Sequence, residues 1–109
     1  MKGFGGSGGM QNLMKQANQM QNKMKKLQEE FATQHFKGSA GGGAVEVTVN
    51  GEYFVATMVI KPEVLEGGDT EMATEMIQIA TNDAIKNAKE EYKKAMDSVT
   101  GGASIPGMF

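Results

Sequence analysis

A regular series of apolar residues, separated alternately by three and four positions, runs through the first third of the chain. A period of 3.5 residues with no glycine or proline inside it is typical of a long helix with a narrow apolar face, as in a coiled coil. The sequence therefore predicts a helix from Met10 to about Phe36. Seven residues form the series, which we call the apolar seam: Met10, Leu13, Ala17, Met20, Met24, Leu27 and Phe31.

The middle of the chain changes to a period of two. Between Ala44 and Asn50 every second residue is valine, and the residues between them include Glu46 and Thr48. This pattern indicates a strand with one buried face. Asn50-Gly51 favours a tight turn, because both residues tolerate positive φ. We predict strands at about 33–39, 44–50 and 53–61. The last strand would carry its apolar side chains on one face: Phe54, Ala56, Met58 and Ile60.

The last third of the chain has a broader apolar stripe, as expected of a helix that packs on a sheet. Asp69 or Thr70 would cap its N-terminus, and Glu71 and Glu75 lie where the helix dipole favours negative charge. The predicted helix covers residues 70–99. Its apolar positions are Met72, Ala73, Met76, Ile77, Ala80, Ala84, Ile85, Ala88, Tyr92, Met96 and Val99.

Together these elements predict an α+β fold, with a long N-terminal helix, a three-stranded antiparallel sheet and a C-terminal helix in the order α-β-β-β-α. Residues 10–100 would form a single domain, between a flexible glycine-rich arm at 1–9 and a flexible tail at 101–109. A phosphate-binding loop is the alternative for the first glycines. That segment lacks both the Gly-Lys-Ser/Thr ending and the preceding strand that such a loop requires.

The apolar seam has little to pack against in its own chain, because the sheet offers one face and the second helix takes it. An exposed seam would promote aggregation. A chain of 109 residues without cysteine also gains stability from a partner subunit. We therefore predict a homodimer joined through the apolar seam. A groove for unrelated peptides is the alternative, since methionine is common on such surfaces.

The residue types offer little for catalysis or metal binding. His35 is the only histidine, the chain has no cysteine, and no serine lies in a nucleophile motif. Glu29-Glu30 and Glu90-Glu91 are adjacent pairs, which do not face each other on a helix. We expect no enzyme activity, no cofactor and no metal. The short apolar runs and the lack of cysteine favour a soluble cytoplasmic protein without a membrane segment.

The net charge of −2 conceals an uneven distribution. Residues 1–28 contain five lysines and no acidic residue, whereas the rest of the chain contains six lysines and thirteen acidic residues. The first helix is therefore suited to bind a polyanion, although solvation alone also explains lysines on a helix. Because the chain has no arginine, a DNA contact would join lysine to phosphate, without the bidentate base recognition that arginine provides.

Seven short segments, in order along nearly the whole chain, share their sequence and spacing with one protein family. They are residues 8–17, 20–30, 38–43, 47–51, 60–65, 82–84 and 106–109. In these segments the chain resembles the YbaB/EbfC nucleoid-associated proteins. The resemblance implies a tweezer-shaped homodimer that binds double-stranded DNA in the bacterial nucleoid.

The resemblance also suggests which lysines contact DNA. The lysines that match basic positions of the family are Lys15, Lys23, Lys26, Lys86 and Lys93. Charge alone adds four further candidates: Lys25, Lys37, Lys89 and Lys94.

Our main hypothesis is a cytoplasmic, nucleoid-associated homodimer that binds duplex DNA mainly through lysine–phosphate contacts with weak sequence selectivity. It would organise or regulate the chromosome. The alternative is an adaptor for recombination or replication proteins, with little intrinsic affinity for DNA. Salt distinguishes the two hypotheses, because phosphate contacts weaken steeply as the salt concentration rises.

Overall fold

The computed structural model of the protein describes residues 4–99, with side chains described from residue 9 onward. Its elements are α1 (Phe4–Ala32), β1 (His35–Ala40), a one-turn 3₁₀ helix (Gly41–Gly43), β2 (Val45–Asn50), β3 (Val55–Ile60), α2 (Pro62–Glu66) and α3 (Thr70–Val99). The predicted α+β class and the order of the two long helices and three strands are confirmed. The short α2 was not predicted.

The bounds of α1 differ from the predicted helix at both ends. The helix begins at Phe4 instead of Met10, so residues 4–9 of the expected flexible arm are helical. Once a helix is nucleated, each added residue gains a hydrogen bond, and a glycine costs only about 1 kcal/mol relative to alanine. The predicted tail at 101–109 lies outside the described residues.

At its other end α1 stops at Ala32 instead of continuing to Phe36. The hydroxyl and the amide of Thr33 both donate to the carbonyl of Glu30, at 2.8 and 3.3 Å. These bonds satisfy a carbonyl that the end of a helix leaves without a partner. β1 begins three residues after the helix ends, so its pairing with β2 excludes a longer helix.

The three strands form an antiparallel sheet in the order β1-β2-β3. Val47 in the central strand pairs with Gly38 of β1 and with Met58 of β3. A bulge at Thr48/Val49 shifts the register, so that Val55 and not Ala56 is the partner of Val49. The predicted apolar alternation of the third strand therefore fails at its first residues.

α3 packs across β1 and β2 and forms the core with them. Its contact residues are small: Ala80, Ala84 and Ala88 are fully buried, as are the three valines of β2. A Cβ atom added to Gly38 would collide with backbone atoms of Ala80 and Ala84. The absence of a side chain at this position allows the helix backbone to lie directly on β1.

A short helix and an N-terminal cap set the direction of the chain before α3. α2 begins at Pro62, whose fixed φ suits the first turn of a helix, and it buries Val64 against the core. The Asp69 carboxylate then accepts a hydrogen bond from the amide of Met72 at 2.9 Å. This is the N-terminal cap that the sequence suggested for the last helix.

The turn between β2 and β3 is built around Asn50. Its side-chain oxygen accepts hydrogen bonds from the amides of Glu52 and Phe54, at 2.8 and 3.1 Å. The residue with positive φ is Tyr53 (+67°), and neither Asn50 nor Gly51 has one. Gly51 is required for a different reason, because a Cβ there would meet the carbonyl of Phe31 at the end of α1.

Candidate nucleic-acid interface

The middle part of α1 forms a basic arm, which we define as residues 9–28. The arm carries four lysines and no acidic residue, and all four lysines are exposed. Lys23 and Lys26 lie three positions apart and therefore on the same side of the helix, whereas Lys25 lies on another side. Because the arm has no carboxylate, its lysines present unbalanced positive charge over the roughly 17 Å of helix from Lys15 to Lys26.

The base of α1 packs against its own chain. The ring of Phe31, 4% exposed, stacks on Phe36 with 4.6 Å between centroids and meets the edge of Tyr92 at 5.1 Å. Gln28 Nε2 donates a hydrogen bond to the Tyr92 hydroxyl at 3.1 Å. The expectation that α1 has little to pack on within its chain is therefore wrong for its last two turns.

This packing buries part of the apolar seam, which was predicted to join two copies, and leaves the rest exposed. Phe31 is buried in its own chain, and Met20, Met24 and Leu27 are half-buried. Met10, Leu13 and Ala17 are exposed, Leu13 by 67%. Only the N-terminal part of the seam is fully open to a second molecule.

α3 presents a second, smaller group of lysines on its outer side. Lys86, Lys89 and Lys93 line one shallow depression together with Asn82, Ile85 and Glu90. Their spacing of three and four residues places them on one side of the helix. The Lys89 ammonium also lies 5.6 Å from the centre of the Tyr53 ring, within the range of a cation–π contact.

The two remaining candidate lysines lie apart from these groups. Lys94 forms an exposed ion pair with Glu91 at 3.5 Å. Lys37 pairs with Thr48 across β1 and β2, and residues at alternate positions from the buried valines face away from α3. Lys37 therefore lies on the opposite face of the sheet, and the predicted lysines do not form one continuous patch.

The residues considered for catalysis lie in exposed positions. His35 is exposed at the start of β1, and both glutamate pairs are exposed on the long helices. Among the described residues, no group of three or more histidine or acidic side chains is arranged to hold a metal ion. No helix in the described part of the chain combines the length and apolar character needed to cross a membrane.

Sequence reasoning missed an exposed apolar surface along β3. The largest exposed side chains there are Tyr53, Phe54, Val55, Met58 and Val59. The pattern of this strand predicted a face covered by the second helix, but α3 lies over β1 and β2. A signal was present in the sequence, because the segment from Tyr53 to Ile60 contains no charged residue.

Comparisons with known proteins agree with the fold and indicate one family. The family model described as the YbaB/EbfC DNA-binding family matches residues 6–103. A nucleoid-associated protein of Clostridium kluyveri is 43% identical over 97% of this chain and 93% of its own length. Another nucleoid-associated protein, from Alkaliphilus metalliredigens, is 45% identical over 99% of this chain and 97% of its own length.

A solved structure shows the same architecture. The crystal structure of an uncharacterized protein from Helicobacter pylori aligns with a TM-score of 0.66 and 26% identity. The alignment covers 90% of this chain and 97% of that one. With the family model spanning nearly the whole domain and relatives above 40% identity over nearly full length, this chain belongs to the YbaB/EbfC DNA-binding family.

Proposed function

We propose that this protein is a bacterial nucleoid-associated protein that binds duplex DNA as a homodimer, mainly through lysine–phosphate contacts with weak sequence selectivity. Its place would be the nucleoid in the cytoplasm, where it organises or regulates the chromosome. One observation carries the proposal beyond family membership: the basic arm holds four exposed lysines and no carboxylate.

The dimensions of the basic arm suit a DNA backbone. Its lysines extend from Lys15 to Lys26, roughly 17 Å at 1.5 Å per residue, a length over which one DNA strand carries about five phosphates at ~3.4 Å each. Lysine acts on phosphate as a mobile point charge, and the chain has no arginine to read base edges. Binding should therefore depend strongly on salt and only weakly on sequence.

The α3 lysines would contribute less than the basic arm. Glu90 lies in the same depression as Lys86, Lys89 and Lys93, so their positive field is partly offset. Lys94 is already paired with Glu91. We assign the main phosphate contact to Lys15, Lys23, Lys25 and Lys26, and a supporting contact to the α3 group. Lys37 would not join the same contact, because it lies on the other face of the sheet.

A mobility-shift titration with random and AT-rich duplexes at 50 and 200 mM salt tests the proposal. About six phosphate contacts would reduce the affinity on the order of a thousandfold between these two conditions. The variant with Lys15, Lys23, Lys25 and Lys26 changed to glutamine should bind weakly, and its salt slope should fall by about 0.9 for each phosphate that the protein no longer neutralises.

A matched control changes four neutral side chains of the same helix, Gln11, Gln16, Gln19 and Gln21, to alanine. This variant retains every charge and should bind DNA like the unchanged protein. If the lysine variant and the control bind equally well, the basic arm is not the DNA contact.

A second candidate function is a protein-interaction adaptor for recombination or replication proteins. It is favoured by the exposed apolar side chains at the start of α1, where Met10, Leu13 and Met14 are each more than half exposed. No retention of DNA even at 50 mM salt would exclude the DNA proposal and favour the adaptor.

A further inference from the structure

The first turns of the basic arm carry an exposed apolar surface, which we call the open strip. It consists of Met10, Leu13, Met14 and Ala17, which share one side of α1. Met10 and Leu13 are 64% and 67% exposed, and Met14 is 61% exposed. Contiguous apolar side chains on the surface of a soluble chain are characteristic of a contact surface.

The end of α3 runs along α1 toward the open strip. Asn87 of α3 donates a hydrogen bond to the carbonyl of Lys37 in β1. Five residues later, Tyr92 contacts Phe31 and Gln28, which precede β1 in the chain. The contacts of α3 thus move to earlier residues as the helix proceeds. α3 and α1 are therefore antiparallel where they meet.

The last turns of α3 stay beside α1 beyond the end of the sheet. Met96, one turn after Tyr92, is 5% exposed. Val99 ends the helix seven residues after Tyr92, about 10 Å further along its axis. This distance places the end of α3 beside residues 20–24 of α1, where the apolar seam is half-buried. The open strip begins within about one turn of that point, at Ala17.

The sequence that follows α3 suits this surface. Ten residues continue the chain as Thr-Gly-Gly-Ala-Ser-Ile-Pro-Gly-Met-Phe, and they lie outside the described residues. We call them segment 100–109. The segment has no charged residue, and its large apolar side chains are Ile105, Met108 and Phe109. Ten residues can span up to ~33 Å, whereas Met10 lies roughly 20 Å along α1 from the end of α3.

Charge favours this segment over a second basic arm as the occupant of the open strip. The basic arm has four lysines and no acidic residue. Two arms packed strip to strip would therefore bring the lysines of both copies together without a carboxylate to balance them. Segment 100–109 would cover the strip without adding charge. Its attachment to α3 also raises its effective concentration beside the strip.

We propose that segment 100–109 folds back along α1 of its own chain and packs its apolar side chains on the open strip. The contact continues the antiparallel packing of α3 on α1 toward the start of the basic arm. Lys15 and Lys26 lie about half a turn of helix away from the strip, so they stay accessible to DNA. The contact forms within one chain and depends on neither DNA binding nor dimerisation.

Disulfide formation between two introduced cysteines tests the contact, because the chain has no cysteine of its own. Ala17→Cys places a thiol on the open strip, and Ser104→Cys places one in segment 100–109. Both changes leave the large apolar side chains of the two surfaces intact. With oxidised glutathione as the oxidant, this double variant should form a disulfide within one chain, detected by mass spectrometry and by its electrophoretic mobility.

A lysine on the open strip should prevent the contact. Leu13→Lys, added to the two cysteines, should slow the disulfide at least about tenfold, because an undocked segment has a lower effective concentration near the strip. Asn12→Lys is the matched control: it adds the same charge to the neighbouring exposed residue, roughly 100° around the helix, and should leave the rate unchanged. Circular dichroism should show the same helix content in both variants.

A second pair of variants changes the segment instead of the strip. Phe109→Lys should slow the disulfide in the same way, whereas Phe109→Leu retains an apolar side chain and should leave the rate nearly unchanged.

Three outcomes would overturn the inference. Equal rates in the Leu13→Lys and Asn12→Lys variants would show that the apolar strip does not hold the segment. A disulfide between two chains would assign the strip to a second copy. Absence of any disulfide would leave the strip open to another protein, as the adaptor function requires. None of these results changes the mobility-shift assay, so the DNA proposal stands or fails separately.

Discussion

The two edge strands of the sheet differ in how far the rest of the chain covers them. On β1 the amide of Ser39 donates to Asp83 Oδ2 at 3.0 Å, and the carbonyl of Lys37 accepts from Asn87 Nδ2 at 2.8 Å. Both partners lie on α3, which therefore covers β1 and also occupies its outward backbone groups. On β3 no described side chain does the same, and the apolar side chains are exposed.

The position of α3 explains the difference. Gly38 and the buried alanines of α3 let the helix backbone approach β1, and a helix is only about 10 Å wide. A helix seated over β1 and β2 cannot also cover β3. The small residues thus decide which edge is protected, although the apolar pattern of β3 resembles that of β2.

The largest expected loss of stability comes from a substitution that prevents the close approach of α3 to β1. Gly38→Ala places a Cβ against the backbone of α3, which cannot move aside as a flexible side chain would. We expect a loss of about 3 kcal/mol in the free energy of unfolding, measured in urea. Gly67→Ala is the matched control, because Gly67 has open space around it and a φ of −69°. An equal loss in both variants would contradict the role assigned to Gly38.

The next largest effect is expected when a valine of the central strand β2 and a valine of the exposed edge strand β3 are each changed to alanine. Val47→Ala removes two methyl groups from a fully buried site and should lower the free energy of unfolding by about 2–3 kcal/mol. Val59→Ala removes the same groups from an exposed site. Its loss should be below about 1 kcal/mol. Similar losses for Val47→Ala and Val59→Ala would contradict the exposed position of Val59.

Removing one of the hydrogen bonds between α3 and the backbone of β1 should lower the stability by a smaller amount. Asn87→Ala removes the donor to the Lys37 carbonyl and should cost about 1 kcal/mol in thermal or urea unfolding. Asp83→Ala should cost a similar amount. Asn82→Ala, on the exposed side of the same helix, is the control and should change stability by less than about 0.5 kcal/mol. If Asn87→Ala left the free energy of unfolding unchanged, water would be replacing the hydrogen bond to the Lys37 carbonyl without cost.

The smallest effect is expected at the turn that leads into β3. Tyr53 has a positive φ, which asparagine adopts more readily than other residues with a side chain. Tyr53→Asn should therefore change the free energy of unfolding by less than about 0.5 kcal/mol, because relief of backbone strain offsets the removal of the cation–π interaction with Lys89. A decrease above about 1 kcal/mol would show that the ring interaction dominates.

Period and capping signals were sufficient to predict the fold class. The 3.5-residue seam, the alternating valines and Asp69 each act within one element, so their signals are local. The missed features depend on contacts between distant parts of the chain. Nothing near Phe31 in sequence indicates that Tyr92 packs on it, and the uncharged segment around Met58 does not by itself indicate that α3 lies over β1 and β2 instead.

The candidate site shows the same limit. Charge counting identified a lysine-rich first helix, and the structure has an arm with four exposed lysines there. The same counting placed Lys37, Lys89 and Lys94 in one set. It could not separate them, because the side of a strand or helix that faces the rest of the protein is decided by packing.

Because α1 is long, a small rotation at its packed base moves the distant part of the helix by several ångströms. The helix spans 29 residues, and its first described side chains, from Gly9 to Gln19, are all exposed. At 1.5 Å per residue, a rotation of about 5° at Phe31 displaces the backbone at Lys15 by roughly 2 Å. Duplex DNA carries one phosphate charge per ~1.7 Å of its axis, so this displacement would shift the proposed contact at Lys15 by about one charge. The packing of the Phe31, Phe36 and Tyr92 rings at the base of α1 therefore determines where the lysines of the basic arm lie relative to the DNA.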